Sequence, residues 1–479
     1  MYYAKSNKTG GIVNGKAYVY DFSQGISTSK DKKLTPVYAA VSSFNTQFKS
    51  GALTDGYGIC ACDFKDKVLP EFLIENVTPK KIYYYKRYDE NVGLYVDYLL
   101  VYADDGNIYK AVLGQDESFV LVEDLSFSST PYAVNYTYNG SDVIIFSVEK
   151  QLKIYDGIKV TQITDAPSVT SMCIHNERLF VTEGGQKTSL WFSDDFNPLN
   201  WNVSLEDAGY IDLRDGRGSL LKVISFDGYL YVFRNYGITR ITAYGDQTGF
   251  SVDGITASAS GIIPESIAVC GDRIIYLTSE GFYAFSGGSP IKILTNLDGI
   301  INDIDVSTAK GVYYKGNYYC LFTFKREDGE TFSSLLTYKI SSGDFTLSKD
   351  LPIKDFTLME GENFFKLLFL CEDKKVLGEI SDNCEYFNEI LTKSWQSGES
   401  DFNIRKEKRL TKLYINSQTP LYVTVKSEKE SRRLYFFGGI TRECQPVGIR
   451  GEYFSFYIEC DQPNCNVSHL CAEFEYERG

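Results

Sequence analysis

One pattern recurs through the middle of this chain and restricts its fold more than any other feature. A turn with Gly, Asn or Asp leads into three or four consecutive β-formers, then a polar turn, then another strand. The clearest copies are DGYLYVFRNYGITRI from Asp227, GDRIIYLTSEGFYAF from Gly271, KGNYYCLFTF from Lys315 and NERLFVTEGGQKTSLWF from Asn176. Fainter copies start at Val96, Ser141 and Asn363. Anchored on the centre of each copy's first strand, the repeat falls on Leu100, Ile144, Phe180, Leu230, Ile275, Tyr319 and Leu367. The steps are 44, 36, 50, 45, 44 and 48 residues. That spacing matches the ~40–50-residue period of propeller blades. Each blade is a small antiparallel sheet that needs neighbours to cover both faces. Apolar runs such as Ile274 to Leu277 fit inner strands covered on both sides. A generic meander or sandwich, with strands every ~8–12 residues, is the competing reading, and the steady step favours the propeller.

Two regions fall outside the array. Residues 1–80 read as an N-terminal extension, with a short helix opened by Pro36 through Ala39, Ala40 and Phe44, and Gly51 before a strand. Residues 385–479 read as five or six strands separated by polar turns, the pattern of a compact β-sandwich. The prediction is an all-β chain: a β-propeller of about six to seven blades over 81–384, flanked by an N-terminal arm and a C-terminal β-sandwich-like domain. The arm is expected to pack on that domain. The cluster KSEKESRR, Lys426 to Arg433, reads as a solvated hairpin tip, with a basic contact patch as the minor alternative.

Composition agrees. The chain has 37 Tyr and 31 Phe but only 2 His, which favours strands and argues against an enzyme built on several histidines. The net charge is −14, spread along the chain. Tight binding to a phosphate backbone needs the opposite sign, although an acidic wall can keep passing DNA from adhering. No run of about 18 apolar residues occurs, so membrane insertion is not expected. The opening MYYAKSNKTGG lacks a cationic start and apolar core, so synthesis in a cytoplasm is expected.

The 11 cysteines include no Cys-x-x-Cys pair and read chiefly as buried thiols. Cys460, Cys465, His469 and Cys471 form the one tight group with zinc-competent atoms. Their spacing is unlike the common knuckles, so incidental thiols are the preferred reading. No nucleophile elbow or P-loop is present, and no catalytic residue or cofactor site is assigned. The Gly-rich stretch DGRG, Asp215 to Gly218, precedes a strand and reads as a tight turn. Cys173 and His175 share a strand face without a triad partner.

The most informative local motif is WFSDDFNPLNW, with Trp191, Phe192, Ser193, Pro198 and Trp201. The carboxylates, Asn197 and Pro198 make a capped turn that the tryptophans pin to the sheet. It is similar to the Asp-box turn of sialidase-type propellers, with Asn197 in the glycine place and the tryptophan one residue late. With its surroundings it also resembles the β-propeller tail proteins of tailed bacteriophages, called tail nozzle, tail tubular protein B, tail hub or stabilisation protein. The matching residues are Phe192, Ser193, Pro198 and Trp201, then Leu230 to Phe233, with Arg234 where a lysine is common. The opening YDFSQGI with Asn45, Gly51, Ala52 and Leu53 resembles that group's start. Arg450-Gly451 before an aromatic strand resembles its end, although Glu452 stands where an arginine is frequent.

The resemblance covers most of the chain in order. It implies a non-enzymatic virion protein made in the host bacterial cytoplasm. Copies would form a homo-oligomeric ring, sixfold by family expectation. The ring would contact adaptor, portal-proximal or fibre proteins, and genome DNA would pass without specific binding. The alternative is a glycan-binding or sialidase-like propeller.

Overall fold

The computed structural model describes every residue except 1–4, 7–11, 20, 23–24, 29–31, 34, 65–66, 91, 186, 206, 256–260, 326–328, 362–363, 440 and 478–479. Tyr20, Ser23, Gln24, Gln186 and Asn363, used in the sequence reading, lie outside the described residues.

The chain is all-β. Six four-stranded antiparallel meanders follow one another, spanning 79–126, 132–163, 169–212, 220–255, 268–293 and 304–349; we number them sheets 1 to 6. Sheet 7 begins with Ile353–Glu360, Phe365–Cys371 and Gly378–Ser381. Its fourth strand is Gly58–Ala61, from the segment read as an N-terminal arm, which pairs antiparallel with Gly378–Ser381. Tyr386 then adds in parallel beside Ile59, so the sheet runs on through 385–390. The strand set of this sheet therefore crosses both expected boundaries, because its outer edge is completed from either side of the array.

Neighbouring sheets pack face to face in a closed circuit, the arrangement of a β-propeller. One apolar cluster joins sheets 1 and 2 through Tyr85, Leu100 and Phe146. Others join 2 to 3 through Ile145 and Leu179, 3 to 4 through Phe180 and Val232, and 4 to 5 through Phe233 and Tyr276. Sheets 6 and 7 meet at Leu335 and Phe369, and sheet 7 returns to sheet 1 at Leu368 and Leu99. Sheets 5 and 6 meet inside a larger core that continues into the terminal domain.

Each sequence anchor lies on the second strand of its sheet, and not on the first. Second strands are covered on both faces and read as unbroken buried runs, for example Ile274–Thr278 and Tyr98 to Ala103. First strands are patchier, as in Ile304–Tyr314, and left no apolar run to find.

The remaining strands form two packed sheets. One carries Lys5–Ser6, Ile12–Val19, Asn466–Glu477, Lys408–Ser417 and Glu443–Gly451 in that order, with Thr46–Lys49 and Ala52–Asp55 attached. The other runs Ala40–Phe44, Lys393–Ser397, Phe454–Cys460, Leu421–Ser427, Ser431–Phe436. Burial alternates along these strands, as in Leu421–Ser427, because one face meets the opposite sheet. Trp395, fully buried, packs edge-on against Phe22 at 5.0 Å. Phe402 stacks on Phe454 and Phe474 at 5.8 and 5.2 Å.

The helix expected at Pro36 does not form. Pro36 opens a turn closed by the Ala39 N–H on its carbonyl at 3.0 Å, and Ala40–Phe44 is a strand paired with Lys393–Ser397. Pairing across 350 residues of sequence overrides local helix propensity here.

Candidate functional site

Polar side chains from several of the sheets converge near the axis of the ring. In five sheets the first strand breaks register near its start: between Pro79 and Lys81, Val169 and Ser171, Leu220 and Lys222, Asp305 and Lys310, and Ile353 and Asp355. Bulges of this kind re-aim a side chain. The residue after each break turns toward its neighbours near the axis. Ser171 Oγ accepts from Val223 N at 3.3 Å, and Asp355 Oδ2 accepts from Ile82 N at 3.0 Å. Lys222 Nζ donates to Pro264 O at 2.8 Å. Lys310 Nζ donates to Lys354 O and Asp355 Oδ1, both at 2.8 Å. Tyrosine hydroxyls tie three more interfaces: Tyr83 to Pro131 O, Tyr136 to Glu177 O, and Tyr318 to Ser266 O. Every interface of the circuit thus carries a polar tie as well as an apolar cluster.

Glu265, just before sheet 5, sits where these groups converge. Tyr132 of sheet 2 also comes near its carboxylate. Burial works against the charge on Glu265, but Lys222, Lys81 and Lys310 together hold its pKa below the ordinary carboxylate value. Burial pushes the Lys222 pKa down, with Glu265 opposing. Burial and then Glu265 push Tyr132 up to about 12. Lys81 lies over the rings of Tyr83 and Tyr132 at 5.6 and 5.4 Å. Three ammonium groups therefore share the axis with two carboxylates, Glu265 and Asp355. The arrangement is a charge cluster with one more ammonium than carboxylate.

Beside it, a cavity of about 590 Å³ opens between sheets 2, 3 and 4, lined by Tyr132, Thr170, Glu183, Asn235, Tyr236 and Pro264. Tyr236 is 65% exposed. Sequence reasoning missed the whole axis. Its only signal was a charged residue inside an otherwise apolar strand, such as Lys222 within LLKVISF.

The sequence-predicted residues fall elsewhere. Ser193 Oγ accepts from Leu179 N at 3.0 Å and donates to Asp194 O at 2.9 Å. Trp201, 4% exposed, donates from its indole to Pro198 O at 2.9 Å, while Phe192 is buried against sheet 4. Trp191 donates to Glu183 Oε2 at 3.1 Å and lies over Tyr210. The motif is a pinned turn, and Phe196 at its tip has φ +50° and is exposed. The Asp215–Gly218 turn cages the fully buried Arg234, whose guanidinium reaches Asp215 Oδ1 at 2.6 Å and the carbonyls of Leu213 and Gly218 at 2.7 Å. His175 is buried with Nδ1 2.8 Å from Ser225 Oγ, and burial lowers its pKa. The charge cluster 426–433 is the hairpin between Leu421–Ser427 and Ser431–Phe436.

The zinc-competent group is divided. Cys460 and Cys465 belong to the inter-sheet core. His469 and Cys471 alternate with the core-facing Leu470 and Ala472 on Asn466–Glu477, and so face the other way. Among the described residues, no cluster of three or more His, Cys, Asp or Glu could hold a metal ion.

No protein-family model and no curated protein matches the chain. Solved structures with some likeness include BBS1N in complex with ARL6DN, at 9% identity and TM-score 0.41 over 66% of this chain and 96% of that one. An ancestral GH74 enzyme gives 8% and 0.41 over 80% and 65%. The Neurospora crassa Pan2 WD40 domain gives 7% and 0.35 over 65% and 97%. Likeness at these scores carries no argument about activity.

Proposed function

We propose that this chain is a structural component of a bacteriophage tail: a seven-bladed propeller joined to a terminal β-sandwich, copies of which form a ring that builds the DNA-ejection conduit. The observation that supports it most is the weave of the two chain ends. Strands within 12–55 and 393–477 fill the same two sheets, and Gly58–Ala61 completes the propeller. Two chain ends woven into one domain suit a rigid building block of a symmetric assembly. The propeller's own axis is occupied by the charged groups around Glu265, so the conduit of this reading runs between copies.

Charge is partitioned in a way that fits. Residues 393–479 hold 13 Lys and Arg against 12 Asp and Glu, a net of +1; with −14 for the chain, the remainder carries −15. In this reading propeller carboxylates face the lumen and repel the genome. Light scattering with negative-stain imaging tests the ring: particles with a central hole are expected. A monomeric mass, together with absence of the protein from tailed particles in its host, overturns the reading.

A glycan-binding propeller is the second reading. It is favoured by the cavity beside the axis, where Tyr236 offers an exposed ring face next to Asn235 and Glu183. A glycan array separates the two: binding abolished by Tyr236→Ala supports it.

A further inference from the structure

The seam that closes the ring carries a cavity that neither reading uses. It holds about 670 Å³, lies between sheets 6 and 7, and is separate from the one at Tyr236. That size falls within the ~300–1,000 Å³ of small-molecule sites. Sheet 6 supplies Tyr314, Asn317 and Tyr319, with Lys315 in the turn between its first two strands. Sheet 7 supplies Phe365, Lys366 and Glu379, with Asp382 just beyond Gly378–Ser381. A further wall is Tyr57, the residue before the closing strand Gly58–Ala61.

The walls are aromatic and the lining is charged, and together these narrow the ligand. The Tyr314 ring lies 5.2 Å from Phe365 at 46° and 6.5 Å from Tyr319 at 44°. Rings tilted in this way leave no parallel slot for a flat base. The Tyr314 hydroxyl donates to Phe365 O at 3.0 Å and ties the two sheets across the seam. Asn317 Nδ2 donates to Tyr319 Oη at 3.5 Å, so in that contact the phenol keeps its own proton to give. Lys315 and Lys366 are matched in number by Glu379 and Asp382. Lys366 is engaged with Glu379 and with Asp63 O at 2.5 Å, and Lys315 lies over the Tyr314 ring at 4.9 Å. An anionic ligand therefore meets no unbalanced cation, and a wholly apolar one would desolvate four charged groups. A neutral polyhydroxylated ring satisfies both demands. Its C–H face covers an aromatic ring, and its hydroxyls pair with the amide and the carboxylates. Phe365, 39% exposed, and the half-buried Tyr57 are the rings that such a face can reach.

We propose that this cavity binds a neutral pyranose saccharide, and that the bound sugar holds the ring closed. The ligand touches sheet 6, sheet 7 and Tyr57 together, so an opening that withdraws Gly58–Ala61 from sheet 7 also breaks the site. A ligand that binds only the closed form stabilises it by mass action. The inference rests on neither reading of function, because the glycan of the second reading occupies the other cavity.

The full chain is titrated by calorimetry with lactose, cellobiose and diacetylchitobiose. Binding of at least one is expected, with sialyllactose bound no more tightly than lactose. At ~100 times the Kd of the sugar, hydrogen exchange in 58–61 should slow by about 100-fold. Phe365→Ala should weaken binding by about tenfold. Asp382→Asn, at an exposed position, should weaken it by about fivefold and carries the comparison if the first variant unfolds. Binding of the free disaccharide alone marks a soluble sugar as the ligand. Binding also of the disaccharide coupled to beads through its reducing end marks the end of a surface glycan. The proposal is overturned if none of the three neutral sugars binds, if sialyllactose binds more tightly, or if both variants keep the parent affinity. Protection at Asn235 and Tyr236 in place of 58–61 overturns it as well, by assigning the sugar to the other cavity.

Discussion

The ring and the terminal double sheet are built from the same kinds of residue in opposite ways. In sheets 1 to 6 each strand pairs with the next in sequence, so every sheet is a local meander. In the terminal domain Ile12–Val19 lies against Asn466–Glu477, and Ala40–Phe44 against Lys393–Ser397. Local pairing closes short loops, whereas distant pairing must first pay the entropy of closing very long ones. Sheets 1 to 6 therefore need only local pairing, whereas the double sheet needs both ends of the chain.

Asn45 is where the two modes are coupled. It is 1% exposed, with φ +58°. Its backbone N–H reaches Leu347 O at 2.9 Å, and its side chain accepts from Lys349 N at 2.8 Å and donates to Thr392 O at 2.9 Å. One side chain thus ties sheet 6 to the start of the terminal domain.

The contrast can be tested hardest at Gly58. A Cβ there would stand 2.1 and 2.4 Å from the backbone oxygens of Glu385 and Asn383. Gly58→Val should expel the closing strand and cost more than about 4 kcal/mol. If the meanders are autonomous, circular dichroism should retain strand signal while the cooperative transition is lost. Next is Trp395→Ala, which empties the centre of the double sheet and should cost about 3–5 kcal/mol. Its denaturant midpoint should fall, and hydrogen exchange should rise first in 393–477 while sheets 2 to 4 stay protected. Asn45→Ala should cost about 3 kcal/mol, from two buried hydrogen bonds and a left-handed backbone that asparagine tolerates better. Unlike Trp395→Ala, it should split one unfolding transition into two.

The smallest effect lies at the axis and depends on pH. Glu265 has a folded pKa below its unfolded value, so its stabilising contribution is complete above the unfolded value of about 4.3. It is lost as pH falls through the lower folded value. Urea midpoints of the parent should drop between about pH 5 and pH 3 more steeply than those of Glu265→Gln. An identical slope removes Glu265 from the centre of the charge network.

What was legible follows the same division. The second strands announced themselves because Leu230 to Phe233 and Ile274 to Leu277 are buried on both faces. The terminal strands were visible through alternation, as in PLYVTVKS. The closing strand is only Gly-Ile-Cys-Ala, too short to carry a period, and its partner lies more than 300 residues away. Pro36, Ala39 and Phe44 satisfy a helical spacing, yet the edge of Lys393–Ser397 claims that segment. The axis was unreadable because its lysines and carboxylates come from separate sheets, and only ring closure brings them together. Arg234 stood in the notable VFR strand, but its cage at Leu213 and Gly218 exists only once the turn has formed.

Asn466–Glu477 stands between Ile12–Val19 and Lys408–Ser417 in the middle of the seven-stranded sheet. A copy in which that strand is cut away presents two raw strand edges where a sound one presents a sealed surface, and each is a template for pairing with another chain.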